Sequence, residues 1–202
     1  MIAGIYTRTC IMLVVAIGML LAGCADKTIR LTYSPPAPSQ SLAPRLVIGP
    51  FQDVRGNEGD HGDVHRVGGV YGGYGNRLAK VMLASLWPPA FVAALAAEFR
   101  AQGVDASAAE SSAGPTDAYL LSGDVRNFST ESRWGRAAHI GVTFRLLSPD
   151  NRRLVEKRID VKESSGLGSF DAEALQELLN RAFARFVREV ATDPEIRGAL
   201  TR

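Results

Sequence analysis

Cysteine is nearly absent from this chain: its 202 residues hold two, Cys10 and Cys24, beside three histidines, two tryptophans and four methionines. Histidine this sparse leaves a thin inventory for acid–base catalysis or metal ligation. An excess of one charge is missing too. Lys and Arg number 23 against 21 Asp and Glu, so the chain has no global field to attract nucleic acid, and nucleic-acid binding is not expected. Long apolar runs are also lacking, since Cys10–Leu21 falls short of the roughly 20 residues that span a bilayer core. What remains is ordinary globular composition, 46% hydrophobic and 22% charged, long enough for one domain with a proper core.

The first two dozen residues stand apart. Arg8 is their sole charge, an apolar stretch follows, and small residues close it. This is the make-up of an export signal, with a transmembrane anchor as the alternative. Leu21-Ala22-Gly23-Cys24 resembles the lipobox of bacterial lipoprotein precursors at all four positions. The resemblance implies cleavage before Cys24, acylation of its thiol and then of the new amine, and a permanent tether to the membrane, because several chains hold where one holds only marginally. Ala25 follows the cysteine where lipoproteins retained in the inner membrane often carry Asp, so the outer membrane, facing the periplasm, is expected. With Cys10 removed and Cys24 lipidated, the mature domain has no thiol for a disulfide, a nucleophile or a metal.

Residues 1–23 therefore read as signal peptide, 24–44 as the lipidated N-terminus and a proline-rich tether, and 45–202 as the domain. Ser34-Pro35-Pro36-Ala37-Pro38 has no apolar periodicity and suits an extended spacer, although an edge strand near Thr28–Tyr33 is the alternative. Arg45–Phe51 reads as a buried first strand. From Gln52 to about Lys80 the chain is dense in glycine and reads as irregular, with a Gly/Tyr-rich loop at about 56–78. A helix opens at Pro88-Pro89, carries Val92, Leu95, Ala96 and Phe99 at helical spacing, and stops at Gly103. Asp105–Pro115 reads as a loop with one short strand. Strands follow at Tyr119–Val125, at Ala138–Leu147, and from Val155 to Val161 beyond the turn Ser148-Pro149-Asp150-Asn151. The last helix is the most legible, with Leu175, Leu178, Leu179, Ala182, Phe183, Phe186, Val187 and Val190 on one stripe, Asp171 as cap, and Glu177 paired to Arg181. The expected fold is α+β: a two-layer sandwich of a mostly antiparallel sheet of four to five strands with two helices on one face.

Catalytic constellations are scarce. Asp60-His61-Gly62-Asp63-Val64-His65 offers ligands at a spacing suited to one metal, but a glycine-rich segment supplies no rigid element to preorganise them, so no metal site is assigned. His139 falls on the polar side of its strand. No Gly-x-Ser-x-Gly is present, and Ser164–Ser169 reads as a flexible lead-in to the last helix. Val67–Asn76 lacks both the Gly-Lys-Ser/Thr ending of a phosphate loop and the strand-to-helix setting of a dinucleotide fingerprint. No cofactor is expected. Tyr71, Tyr74 and Arg77 form a candidate contact surface for a partner or a cell-wall glycan, since tyrosine among small residues makes contact at low entropic cost; a plain linker is the simpler reading. Trp87 and Trp134 are either core or contact residues.

Taken together, the lipobox, Val47-Ile48-Gly49-Pro50-Phe51-Gln52-Asp53-Val54-Arg55, the strand Ala118–Gly123 and Asp193-Pro194-Glu195-Ile196 resemble the YajG-type bacterial lipoproteins. The chain is also similar to auxiliary lipoproteins of ABC-type envelope transporters, from which it departs by its longer glycine–tyrosine insertion. The resemblance implies an envelope protein without enzyme activity and carries over no catalytic residue. The anchor on Cys24, the spacer and the missing catalytic constellation point to an accessory component of envelope assembly, transport or maintenance that binds an envelope protein partner, with a small-ligand or cell-wall glycan binding module as the alternative.

Overall fold

The computed structural model describes residues 26–37, 44–55, 63, 65–72, 74–109, 117–166 and 171–201. Among these the chain forms β1 (Lys27–Ile29), β2 (Arg45–Asp53), β3 (Arg66–Tyr71), β4 (Arg77–Leu83), α1 (Trp87–Ala101), β5 (Asp105–Ala108), β6 (Tyr119–Ser132), β7 (Arg136–Leu147), β8 (Arg153–Ser165), α2 (Ala172–Thr192) and α3 (Pro194–Leu200).

β6, β7 and β8 make the antiparallel meander that their alternation predicts. Ile140, Val142, Phe144 and Leu146 are completely buried. The opposite face of the meander is a ladder of charge. Asp124 accepts a hydrogen bond from Arg145, Arg126 donates to Thr143 at 3.1 Å, and His139 bonds to Asp160 at 3.0 Å.

α1 and α2 cover the apolar face, α1 over β2 and β5 and α2 over β7 and β8. Pro88 and Pro89 sit in the first turn of α1, where a missing N–H costs nothing, and Gly103 takes φ +82° just past its end. The Asp171 carboxylate accepts from the Ala174 N–H at 2.6 Å and caps α2. The layers meet around Phe91. Its ring centroid lies 5.1 Å from Trp87, 5.2 Å from Phe128, 5.0 Å from Phe183 and 5.5 Å from Phe186.

The two-layer α+β architecture holds, but the expected element count and strand direction do not. Among the described residues the sheet has eight strands and three helices accompany it. Four of the seven strand pairings, β1–β4, β2–β5, β2–β6 and β3–β6, are parallel, so the sheet is mixed rather than mostly antiparallel. The third helix, α3, starts where the Asp193 carboxylate accepts from the N–H groups of Glu195 and Ile196 beside Pro194.

The additional strands come mainly from the glycine-rich stretch. β3 and β4 form a hairpin inside it, with Val67, Val70, Ala79, Val81 and Leu83 in the core. Glycine has no side chain to show alternation, so such a strand looks irregular in sequence. Gly68, at φ +155°, meets β6 so closely that a Cβ there would lie 1.6 Å from the Thr130 carbonyl oxygen. The glycine is the condition for the pairing.

β6 is the spine of the sheet. β7 follows one edge along nearly its whole length, while β2 takes Tyr119–Val125 of the other edge and β3 takes Thr130–Ser132. In the fork between β2 and β3, Arg55 donates to the carbonyls of Arg66 and Phe128 and to both Asp53 oxygens, with its guanidinium 5.8 Å from the Trp87 ring centroid. The Asp53-x-Arg55 pair seen in the sequence therefore closes a split sheet.

Candidate functional site

Parallel pairing of β3 with β6 brings two turns to one end of the sheet. Tyr71 stands opposite Arg77 across the β3–β4 turn, which is closed by Gly72 N–H to the Asn76 carbonyl and Gly75 N–H to the Gly72 carbonyl, both at 2.8 Å. Gly75 takes φ +81°, a value suited to glycine. Beside this turn lies the β6–β7 turn, Arg133–Gly135, closed by the Arg133 N–H on the Gly135 carbonyl at 3.0 Å. The Arg133 guanidinium lies 5.4 Å from the Tyr71 ring centroid, and Tyr71 in turn covers Gly69.

The structure thus brings Tyr71, Tyr74 and Arg77 to one place, in two different roles. Tyr71 is half-buried and joins the two turns, whereas Tyr74 is fully exposed and Arg77 lies on the surface. Sequence reasoning did not place Arg133, Trp134 and Leu78 with them. Trp134 is 70% exposed and Leu78 41%. Trp134 sits in a visible turn between two alternating strands, but its nearness to the tyrosines depends on β3 joining β6. Trp87, by contrast, is completely buried.

The second feature is the docking of residues 26–33. The Lys80 N–H donates to the Asp26 carboxylate at 2.9 Å, just before Lys27–Ile29 pair with Val81–Leu83. Further on, the Arg30 N–H donates to Gln176 at 2.7 Å and the Thr32 N–H to Asn180 at 3.0 Å, whose amide returns a bond to the Thr32 hydroxyl. The Tyr33 ring meets Phe183 edge-on and its hydroxyl donates to the buried Glu98 carboxylate. Burial, then the Glu98 bond, pushes the Tyr33 phenol well above its ordinary range. The stretch expected as a free tether is thus built into the fold from Asp26 to Tyr33. The edge-strand alternative near Thr28 describes its first part, and the prolines after it belong to the connection between β1 and β2.

Cys24, the lipobox residues Leu21, Ala22 and Gly23, and His61 lie outside the described residues. His65 uses its backbone N–H on Asp63 at 2.9 Å and its ring Nδ1 on the Leu83 carbonyl at 3.2 Å, which ties it to the hairpin. Asp160 is held below the usual carboxylate range, chiefly by its bond from Arg158 and against the effect of burial. At the far end of the sheet, a shallow groove of about 320 Å³ runs between Tyr119, Ser148, Pro149, Arg152, Leu154 and Ala199. No helix among the described residues is long and apolar enough to cross a membrane.

No family model and no curated protein matches the sequence. The fold does have solved counterparts. A Xanthomonas campestris protein of the DUF330 family aligns over 86% of this chain and 95% of its own, at 21% identity and TM-score 0.56. An uncharacterised protein aligns over 82% of this chain and 97% of its own, at 14% identity and TM-score 0.52. What these share with the chain is the fold. A lipoprotein from Neisseria meningitidis aligns over 74% of this chain and 99% of its own, but at 12% identity and TM-score 0.42 the likeness is too weak to argue from.

Proposed function

We propose that this chain is a lipid-anchored, non-enzymatic lipoprotein of the bacterial envelope, facing the periplasm from the outer membrane. It acts as an accessory component of envelope assembly, transport or maintenance through contact with a protein partner. The observation that carries the reading is the bonding of Asp26 into the sheet two residues after Cys24. A lipid on Cys24 would hold the whole domain as a continuous body at the membrane surface, with no long flexible segment between them. The complete four-residue lipobox supports the anchor.

The test is a Cys24→Ser chain expressed beside the unaltered one, with incorporation of labelled palmitate, signal cleavage and membrane fractionation as readouts. Loss of label together with loss of cleavage is expected. Normal cleavage and membrane retention in Cys24→Ser would overturn the anchor. Cross-linking in intact cells is expected to capture an envelope protein, and repeated failure to capture one would count against an accessory role.

A further inference from the structure

The docking of residues 26–33 fixes where an anchor on Cys24 must emerge. β1 runs parallel to β4, with Lys27 opposite Val81, so the chain read backwards from Ile29 heads toward Arg77 and the β3–β4 turn. Asp26 is bonded to Lys80. Only Ala25 lies between Asp26 and Cys24, and two Cα–Cα steps reach about 7.6 Å at most. From Lys80 to Arg77 is a further three residues, about 10 Å of strand. Whatever path the intervening residues take, Cys24 stays within about 20 Å of Arg77, at the foot of the turn that presents Tyr74. The groove beside Tyr119 lies at the other end of β6, about 40 Å away at strand rise.

The end nearest Cys24 has a distinctive chemistry. Tyr74 is fully exposed, Trp134 is 70% exposed and Leu78 41%, three of the six large exposed apolar side chains among the described residues. Arg77 and Arg133 flank them, with Glu131 the acidic surface residue of the same strand end. Trp and Tyr combine an apolar body with a polar edge and prefer the boundary between water and hydrocarbon, while arginine favours anionic headgroups. The two turns that present the rings are held together by strand pairing and by Arg133 over Tyr71.

We propose that the end carrying Tyr74, Arg77, Leu78, Arg133 and Trp134 is a membrane-resting surface, lying in the phospholipid headgroup layer of the leaflet that holds the lipid on Cys24. The proposal rests on the anchor reading above. Acyl chains already make attachment permanent, so the tip adds orientation rather than residence. A surface with only weak affinity for headgroups is saturated when a two-residue link confines it beside them. The domain then stands on this end, with the Tyr119–Ala199 groove and α3 turned toward the aqueous phase.

The experiment uses the full-length chain produced in bacteria, purified from membranes and reconstituted into phosphatidylethanolamine–phosphatidylglycerol vesicles containing brominated lipid. Mass spectrometry of the N-terminal peptide reads lipidation of Cys24; tryptophan emission reads the pose. Trp87 is buried in the core, so the quenchable signal belongs to Trp134, and Trp134→Phe removes it and assigns it. Emission from Trp134 is expected to shift to the blue on reconstitution and to fall about twofold with lipid brominated near the headgroup, with the Trp87 signal unchanged. A lipidated chain whose Trp134 emission stays water-like and unquenched overturns the membrane-resting surface and leaves the anchor standing. A chain without lipid on Cys24 overturns the anchor, and the proposal with it. A photo-cross-linker at position 134 is expected to capture phospholipid in cells; capture of a protein or glycan instead overturns the proposal in favour of that partner.

Discussion

The Arg55 guanidinium is hydrogen-bonded to the Phe128 carbonyl at 3.1 Å, in the gap where β6 has left β2 and has not yet met β3. The same nitrogen reaches the Arg66 carbonyl at 3.0 Å, so one side chain takes the place of a missing strand partner. Arg55→Met strands these carbonyls and leaves Asp53 without its guanidinium, whereas Arg55→Lys restores charge but not the fork of donors. A loss of about 2–4 kcal/mol is expected for Arg55→Met, with Arg55→Lys intermediate, in urea denaturation. Arg55→Lys as stable as the unaltered chain would show that charge alone matters.

Tyr33→Phe keeps the ring against Phe183 and removes only the hydroxyl that serves buried Glu98. A loss of about 1–3 kcal/mol at neutral pH is expected, with faster proteolysis within residues 26–37. The Tyr33 phenol is raised in the folded chain above its ordinary value of 10.0. Its contribution is therefore fully present below about pH 10 and is lost as pH rises through the folded value. Tyr33→Phe should flatten that alkaline decline in thermal melts; an unchanged alkaline limb would refute the link.

Gly68→Ala places a methyl group 1.6 Å from the Thr130 carbonyl oxygen, and backbone has to move. The expected result is separation of β3 from β6 and a loss of more than about 2 kcal/mol. Gly198, in α3, has nothing within 4 Å of a new Cβ. Gly198→Ala is expected to leave stability unchanged or raise it by up to about 1 kcal/mol. Circular dichroism melts of the pair separate steric demand from general tolerance of glycine.

Acid should weaken the fold through two aspartates. Asp160 is lowered chiefly by the bond from Arg158. For Asp193, burial pushes upward, but the bond from Lys157 and the N–H of Ile196 prevail, and its value is lowered. Both folded values lie below the ordinary 3.8, so the stability they confer is present above that value and is lost as pH falls through the folded ones. The melting temperature is expected to hold from neutrality to about pH 5 and to decline below about pH 4. An Asp160→Asn, Asp193→Asn double variant should start lower and decline less; an unaltered slope would assign acid sensitivity elsewhere.

Much of the fold was legible from local pattern. α1, α2 and the β6–β7–β8 meander repeat apolar side chains at periods set by helix and strand geometry, and their caps and turn residues are local in sequence. Strands β3 and β4 were not legible, and β1 was legible only as the alternative to a tether. β1 has three residues, too few to show a period, and the glycines of β3 carry no side chain to alternate. Of the candidate surface, Tyr71, Tyr74 and Arg77 stood out because they share one short segment, whereas Arg133 and Trp134 lie some sixty residues away along the chain.

By itself the sequence determined the likeness of Leu21–Cys24 to a lipobox, the absence of cysteine after Cys24, and the apolar faces that make a sheet covered by helices. Each is a property of neighbouring residues or of composition. Only the tertiary structure decided that residues 26–33 are part of the fold, that Asp53-x-Arg55 closes a fork in the sheet, and that an exposed tryptophan stands beside the tyrosine turn. Those relationships depend on which strand edges pair, and pairing is set by close approach at residues such as Gly68, where what matters is a missing side chain and a backbone oxygen far away in sequence.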